Sequence, residues 1–132
     1  MIKTWKTMLA ICLLSISAQA KRIVIAFEVP YKTISARNAK RMLIENPQAL
    51  LLDVRTEAEF KEKRIPGAFL LPEEELKEKA AIALPKKEAF IVVYCLDGSK
   101  SAKAARTLNS MGYTAVYDLG GMDSWPYAIE KG

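Results

Sequence analysis

Residues 90–111, FIVVYCLDGSKSAKAARTLNSM, decide how the chain folds. Phe90, Ile91, Val92, Val93 and Tyr94 form a short apolar run of β-branched and aromatic residues, the pattern of a strand buried on both faces. Cys95-Leu96-Asp97-Gly98-Ser99 interrupts it as a tight polar turn. From Lys100 onward Ala102, Ala105, Leu108 and Met111 recur every three residues, which suits a helix. The stretch therefore reads strand, loop, helix, with a thiol at the strand's end. First-turn N–H groups of a helix have no intrahelical partner, and the positive end of its dipole faces the loop. An anion is favoured there: a thiolate on Cys95, or an oxyanion or persulfide cradled by the same N–H groups, with Lys100 adding a positive charge.

Working outward, the same alternation of strand and helix signals recurs. Ser35 is a candidate N-cap for a helix from Ala36 to about Glu45, with Ala39, Met42 and Leu43 on its inner face and Asn46-Pro47 ending it. Ala49-Leu50-Leu51-Leu52 is a second continuous apolar strand running into Asp53-Val54-Arg55. Thr56 with Glu59 forms a capping box for a short helix holding Phe60. Phe69 to Pro72 predicts a strand. Glu73-Glu74-Glu75 predicts the first turn of a helix to about Leu84, with Leu76, Ala80 and either Ile82 or Ala83 buried. Thr114 to Tyr117 is a further strand, and residues 127–132 carry no readable signal. Together these predict a doubly wound α/β domain, a parallel sheet flanked by helices on both faces.

Two readings of Arg55 stand side by side. In one, Asp53 turns the chain and Arg55 pairs with a neighbouring acid. In the other, Arg55 at the carboxyl edge of the sheet helps hold an anionic ligand.

The motifs C-x-x-G-x-R/K (Cys95, Gly98, Lys100), DVR-x-x-x-E-F (Asp53, Val54, Arg55, Glu59, Phe60), IPGA (Ile65 to Ala68) and GGM-x-x-W (Gly120, Gly121, Met122, Trp125) occur in this order. Together they resemble the rhodanese family of sulfurtransferases over residues 34–125. The six-residue count from Cys95 through Lys100 is the family's sulfur-handling length; the related phosphatases and arsenate reductases have one residue more. The resemblance implies that Cys95 carries sulfane sulfur as a persulfide and that Leu96, Asp97, Gly98, Ser99, Lys100, Ser101 and Arg55 bind a small anionic donor. Thiosulfate and polysulfide are the donors, and cyanide or a thiol the acceptor, with no metal and no cofactor. The alternative is a periplasmic sulfur carrier that loads Cys95 and delivers to a partner. Three positions depart from the family: Arg64 stands where His is usual, Lys100 where Arg is common, and Asp97 puts a carboxylate in the anion-binding loop. That charge opposes a dianion unless it points outward or pairs with Lys100 or Lys103, so weak thiosulfate activity is expected. Gly120 and Gly121 are expected to let the backbone approach the Cys95 loop, and Trp125 to form core or wall.

The amino terminus carries a different signal. Lys3 and Lys6 precede an apolar segment from about Met8 to Ser17 and then Ala18-Gln19-Ala20, the pattern of a cleavable secretory signal peptide over residues 1–20. The apolar stretch is too short for a stable membrane span. Residues 21–132 then form one domain in the periplasm, opening with an extra strand over residues 22–29, RIVIAFEV. With Lys3 and Lys6 gone, 20 basic residues become 18 against 15 acidic ones, a net charge of +3 with no basic block interleaved with aromatics, which gives nucleic-acid binding little support. The chain has no His, which excludes Cys-His and Ser-His dyads. Cys12 leaves with the signal, so Cys95 is left without an internal disulfide partner; a homodimer linked through it stays open.

Overall fold

The computed structural model describes residues 31–132; the signal-peptide reading and the strand expected over residues 22–29 lie outside them. The chain runs β1 (Lys32–Thr33), α1 (Ala36–Glu45), β2 (Leu50–Asp53), α2 (Glu57–Glu62), β3 (Lys63–Arg64), β4 (Phe69–Leu70), α3 (Leu76–Ala83), β5 (Phe90–Cys95), α4 (Ser99–Ser110), β6 (Ala115–Gly121) and β7 (Glu130–Lys131). Five strands form one parallel sheet in the order β1-β6-β5-β2-β4, and β3 pairs with β7 in a small antiparallel sheet.

Alternation along the central strands gives the sheet its two apolar faces. Leu52, Ile91, Val93 and Cys95 pack with Leu76, Ala80 and Leu84 of the α3 region and with Ala104, Ala105 and Leu108 of α4. Leu51, Val92 and Tyr94 face the other way, against Ala39 of α1, Ile65 and Met122, with Met42 and Leu43 half-buried beside them. The fold is the doubly wound α/β sheet that the strand and helix signals predict. Its helix caps also follow the sequence: Asn38 N–H donates to Ser35 Oγ (3.2 Å), and Thr56 and Glu59 close a reciprocal capping box.

Four local expectations need correction. In α4 the buried stripe is Ser101, Ala104, Ala105 and Leu108, while Ala102 is only half-buried, because packing on a sheet follows i, i+3, i+4, i+7 and not a strict period of three. In α3 the third buried position is Leu84: Leu76, Ala80 and Leu84 recur every four residues, whereas Ile82 lies round the helix at 86% exposure and Ala83 is exposed too. Glu73–Glu75 forms a separate 3₁₀ turn ahead of α3, not its first α-helical turn; it follows Pro72, which supplies no side-chain cap. The Tyr113 hydroxyl donates to the Ala80 and Leu84 carbonyls (3.1 and 2.7 Å) and so satisfies the end of α3.

The fourth correction bears on the site. β6 continues past Tyr117 through Asp118-Leu119-Gly120-Gly121, a run that reads as a turn by composition. A register shift makes this work: Val93 pairs with Asp118 but Tyr94 pairs with Gly120, so Leu119 is the extra residue of a bulge. Gly120 takes φ +85° and its N–H donates to Asp118 Oδ1 (2.8 Å). Beyond it, residues without readable signal form β7, where Arg64 Nε meets Glu130 Oε2 at 3.2 Å. No helix among the described residues is long and apolar enough to cross a membrane.

Candidate active site

From β2 the chain moves outward to β4, whereas from β5 it moves the opposite way to β6. The carboxyl ends of β2 and β5 therefore flank the point where the winding reverses, the place where open α/β sheets hold ligands. Cys95 ends β5 there, and Asp53 ends β2 beside Tyr94. A groove of about 660 Å³ lies at the other, amino-terminal edge, lined by Asn46, Leu50, Leu84 and Phe90 among others. It is remote from the thiol.

The loop after Cys95 wraps its own backbone around the sulfur. Gly98 N–H and Ser101 N–H both point at Cys95 Sγ, at 3.0 and 3.3 Å, and the side chain is 1% exposed. Gly98 makes the reversal with φ +100°, a conformation that favours glycine. Ser101 Oγ donates to the Gly98 carbonyl (3.1 Å), which braces the first turn of α4. Two backbone donors at a helix start thus converge on one point, the geometry of an anion-binding loop.

The remaining loop residues are solvent-exposed. Leu96 is 45% exposed, and Asp97, Ser99 and Lys100 are exposed. Asp97 does not point at Sγ: its Oδ1 accepts from Ser99 N–H (3.0 Å) and Ser99 Oγ–H (2.7 Å). Those two hydrogen bonds, the backbone one foremost, hold its carboxyl below the usual carboxylate range, with a smaller contribution from Lys100. Lys103 is engaged elsewhere, with Glu73 at 3.2 Å.

Gly121 closes the other wall. A β-carbon there would lie 2.5 Å from the Leu96 carbonyl oxygen and 3.0 Å from Asp97 Cα, and would also strike the Asp123 carboxylate. The expected close approach of the glycine pair to the Cys95 loop is therefore met at Gly121. Trp125 is half-buried against the core cluster that holds Val92, Tyr94 and Met122, and its ring meets Tyr127 edge-on.

Arg55 is sealed beside this site and does not line it. Its Nη2 lies 2.8 Å from Asp53 Oδ2 and 2.6 Å from the Lys63 carbonyl, and its side chain is 2% exposed. Of the two readings of Arg55, the structure displays the pairing with Asp53, and the guanidinium engaged on Asp53 and the Lys63 carbonyl presents no open fork. Tyr94 completes the cluster and was not foreseen. Its hydroxyl accepts from Ile65 N–H (3.1 Å) and interacts with Asp53; burial first, and then that carboxylate, push its ionisation well above the ordinary tyrosine range. The available signal was a lone phenol ending an otherwise nonpolar run, since a buried tyrosine needs a polar partner. Among the described residues no group of three or more His, Cys, Asp or Glu is placed to hold a metal ion.

Comparison with known proteins bears on the same residues. A family model for the rhodanese-like domain matches residues 35–127, the stretch that contains β2, β4, β5 and β6 of the parallel sheet, the Cys95 loop and the glycine wall. The chain belongs to the rhodanese-like family. It is similar to a thiosulfate sulfurtransferase, PspE, of Escherichia coli: 38% identical over 71 residues, covering 54% of this chain and 68% of that protein. A sulfurtransferase of Allochromatium vinosum is 32% identical over 93 residues, covering 70% and 85% respectively. Among solved structures, a rhodanese with anions from E. coli superposes with a TM-score of 0.60 at 34% identity, covering 64% of this chain and 99% of that one. Sulfurtransferase relatives place this rhodanese-like domain among sulfur-moving transferases.

Proposed function

We propose that the protein moves a sulfane sulfur from a donor such as thiosulfate or polysulfide to a thiophilic acceptor, through a persulfide on Cys95. The observation that carries this reading is the convergence of Gly98 N–H and Ser101 N–H on Cys95 Sγ. In the first half-reaction the Cys95 thiolate attacks the outer sulfur of the donor, the donor's S–S bond breaks, and its electron pair leaves with the departing anion, sulfite when thiosulfate is the donor. The two N–H groups hold charge first on Sγ and then on the new terminal sulfur. In the second, cyanide or a thiolate attacks that terminal sulfur, and Cys95 leaves as thiolate. Asp53, Arg55 and Tyr94 are positioning residues, bracing the carboxyl edge of the sheet. The reading needs no metal or organic cofactor. Cleavage after Ala20 would place this chemistry in the periplasm.

Burial of Cys95 to 1% exposure favours a second reading, a carrier that loads sulfur and releases it only when a partner opens the loop. Intact mass of the protein after incubation with thiosulfate, and separately with polysulfide, tests both. Gain of one sulfur atom, absent in Cys95→Ser and lost quickly on adding cyanide, supports the enzyme. The same adduct with slow release to cyanide and small thiols supports the carrier. No adduct from either donor overturns the persulfide mechanism.

A further inference from the structure

The mouth of the Cys95 loop has a chemical character that the persulfide mechanism does not by itself require. Leu96, directly after the nucleophile, presents an apolar side chain at 45% exposure. Two carboxylates flank it. Asp97 is held on Ser99, and the Asp123 carboxylate lies against the same point of the Gly121 wall as Asp97 Cα, with Asp123 N–H directed at the Leu96 carbonyl (3.4 Å). Lys100 opposes these acids, while Lys103 is drawn off by Glu73. Asp97 further occupies Ser99 N–H, one of the α4 first-turn donors that an incoming oxyanion would otherwise use.

Resting on the sulfurtransferase reading, we propose that Asp97 and Leu96 set the donor class: an organic persulfide with a small apolar body, taken in preference to a dianion such as thiosulfate. An alkyl persulfide R–S–SH reacts neutral or as a monoanion, so it carries at least one charge fewer than thiosulfate past Asp97 and Asp123. Its alkyl part has Leu96 to lie against, a contact that sulfite's three oxygens cannot use. The step balances without an external oxidant or reductant. Cys95 thiolate attacks the terminal sulfur, the donor's S–S bond breaks with its electron pair leaving on the inner sulfur, and RS⁻ departs and takes the proton, leaving Cys95–S–S⁻ and RSH.

The test is the ratio of two second-order rate constants for loading Cys95, read by quenched intact mass, with thiosulfate and with the persulfide of N-acetylcysteamine as donors. Asp97→Asn keeps an acceptor oxygen for Ser99 and removes the charge. The thiosulfate-to-alkyl-persulfide ratio is expected to rise on the order of five- to tenfold, as removing one charge near a dianion in screened solvent predicts. Leu96→Ser is expected to raise the same ratio roughly two- to fivefold by slowing the alkyl donor. Thermal midpoints matching the parent protein establish that each variant is folded. Loading by both donors with a ratio unmoved in Asp97→Asn overturns the role of Asp97 while the sulfurtransferase reading stands. No loading by either donor in the parent protein overturns both.

Discussion

Asp53 and Arg55 form an ion pair at 2.8 Å with their side chains 0% and 2% exposed, one strand away from Cys95. Arg55 N–H and Nε both donate to Asp53 Oδ1 (2.9 and 3.1 Å), so one short segment satisfies the carboxylate from backbone and side chain together. Removing one member strands the other's charge in the core. Asp53→Ala is expected to lower stability by about 3–5 kcal/mol, and Arg55→Lys by a large part of that, because an ammonium cannot reproduce the fork that reaches both Asp53 and the Lys63 carbonyl. Urea unfolding with an unchanged slope and a lowered midpoint is the check. A shift below about 1 kcal/mol would contradict the pair's structural role.

Tyr94 makes the stability depend on alkaline pH in a predictable direction. Burial and Asp53 raise its folded-state ionisation above the ordinary tyrosine value of about 10. The neutral phenol is therefore the form the fold retains. Its contribution is complete below pH ~10 and declines as pH rises above it, at about 1.4 kcal/mol per pH unit while only the unfolded chain ionises. Tyr94→Phe removes this slope, and at neutral pH costs about 1–3 kcal/mol because Ile65 N–H loses its acceptor. Parallel denaturation series of the two proteins from pH 8 to 11 measure the difference; identical slopes would refute it.

Two glycine substitutions should separate site closure from backbone strain. Gly121→Ala forces a β-carbon against the Leu96 carbonyl and Asp97 Cα, both backbone atoms that cannot swing aside. Loading of Cys95 is expected to fall at least tenfold, as a displacement of about 1 Å at a reacting group predicts. Gly67→Ala meets nothing within 4 Å, although Gly67 sits at φ +86°. It should cost about 1 kcal/mol of strain and leave Cys95 loading unchanged. Equal loading rates in the two variants would refute the closure argument.

The β3–β7 pair is expected to be dispensable for chemistry. It joins two residues to two, and its Arg64–Glu130 ion pair is partly exposed on both sides, so it should contribute no more than about 1 kcal/mol. Deleting residues 130–132 should lower the thermal midpoint by a few degrees at most and leave the rate of Cys95 persulfide formation intact. A loss of loading would show that the carboxyl-terminal strand supports the site.

Much of the molecule was legible in the order of residues. Buried parallel strands must be apolar on both faces, so Leu50 to Leu52 and Phe90 to Tyr94 announced themselves. Ser35 and the Thr56–Glu59 box marked helix starts because orphan N–H groups demand such acceptors. The Cys95 loop was readable for the same reason: its length, its glycine and its position between strand and helix are local properties. What the order of residues could not determine depended on partners distant in the chain. Arg55 carries a charge that either a ligand or Asp53 would satisfy, and only the tertiary structure, by burying its side chain against Asp53 and the Lys63 carbonyl, paired it with Asp53. Leu119 became a bulge because β5 supplied the register, and residues 130–131 became a strand because β3 lay within reach. Asp97 showed the division most plainly. Its charge was visible in the sequence, but whether it faced the sulfur or capped α4 was a matter of a few dihedral angles, set by Gly98 and by the wall that Gly121 brings from the far end of β6.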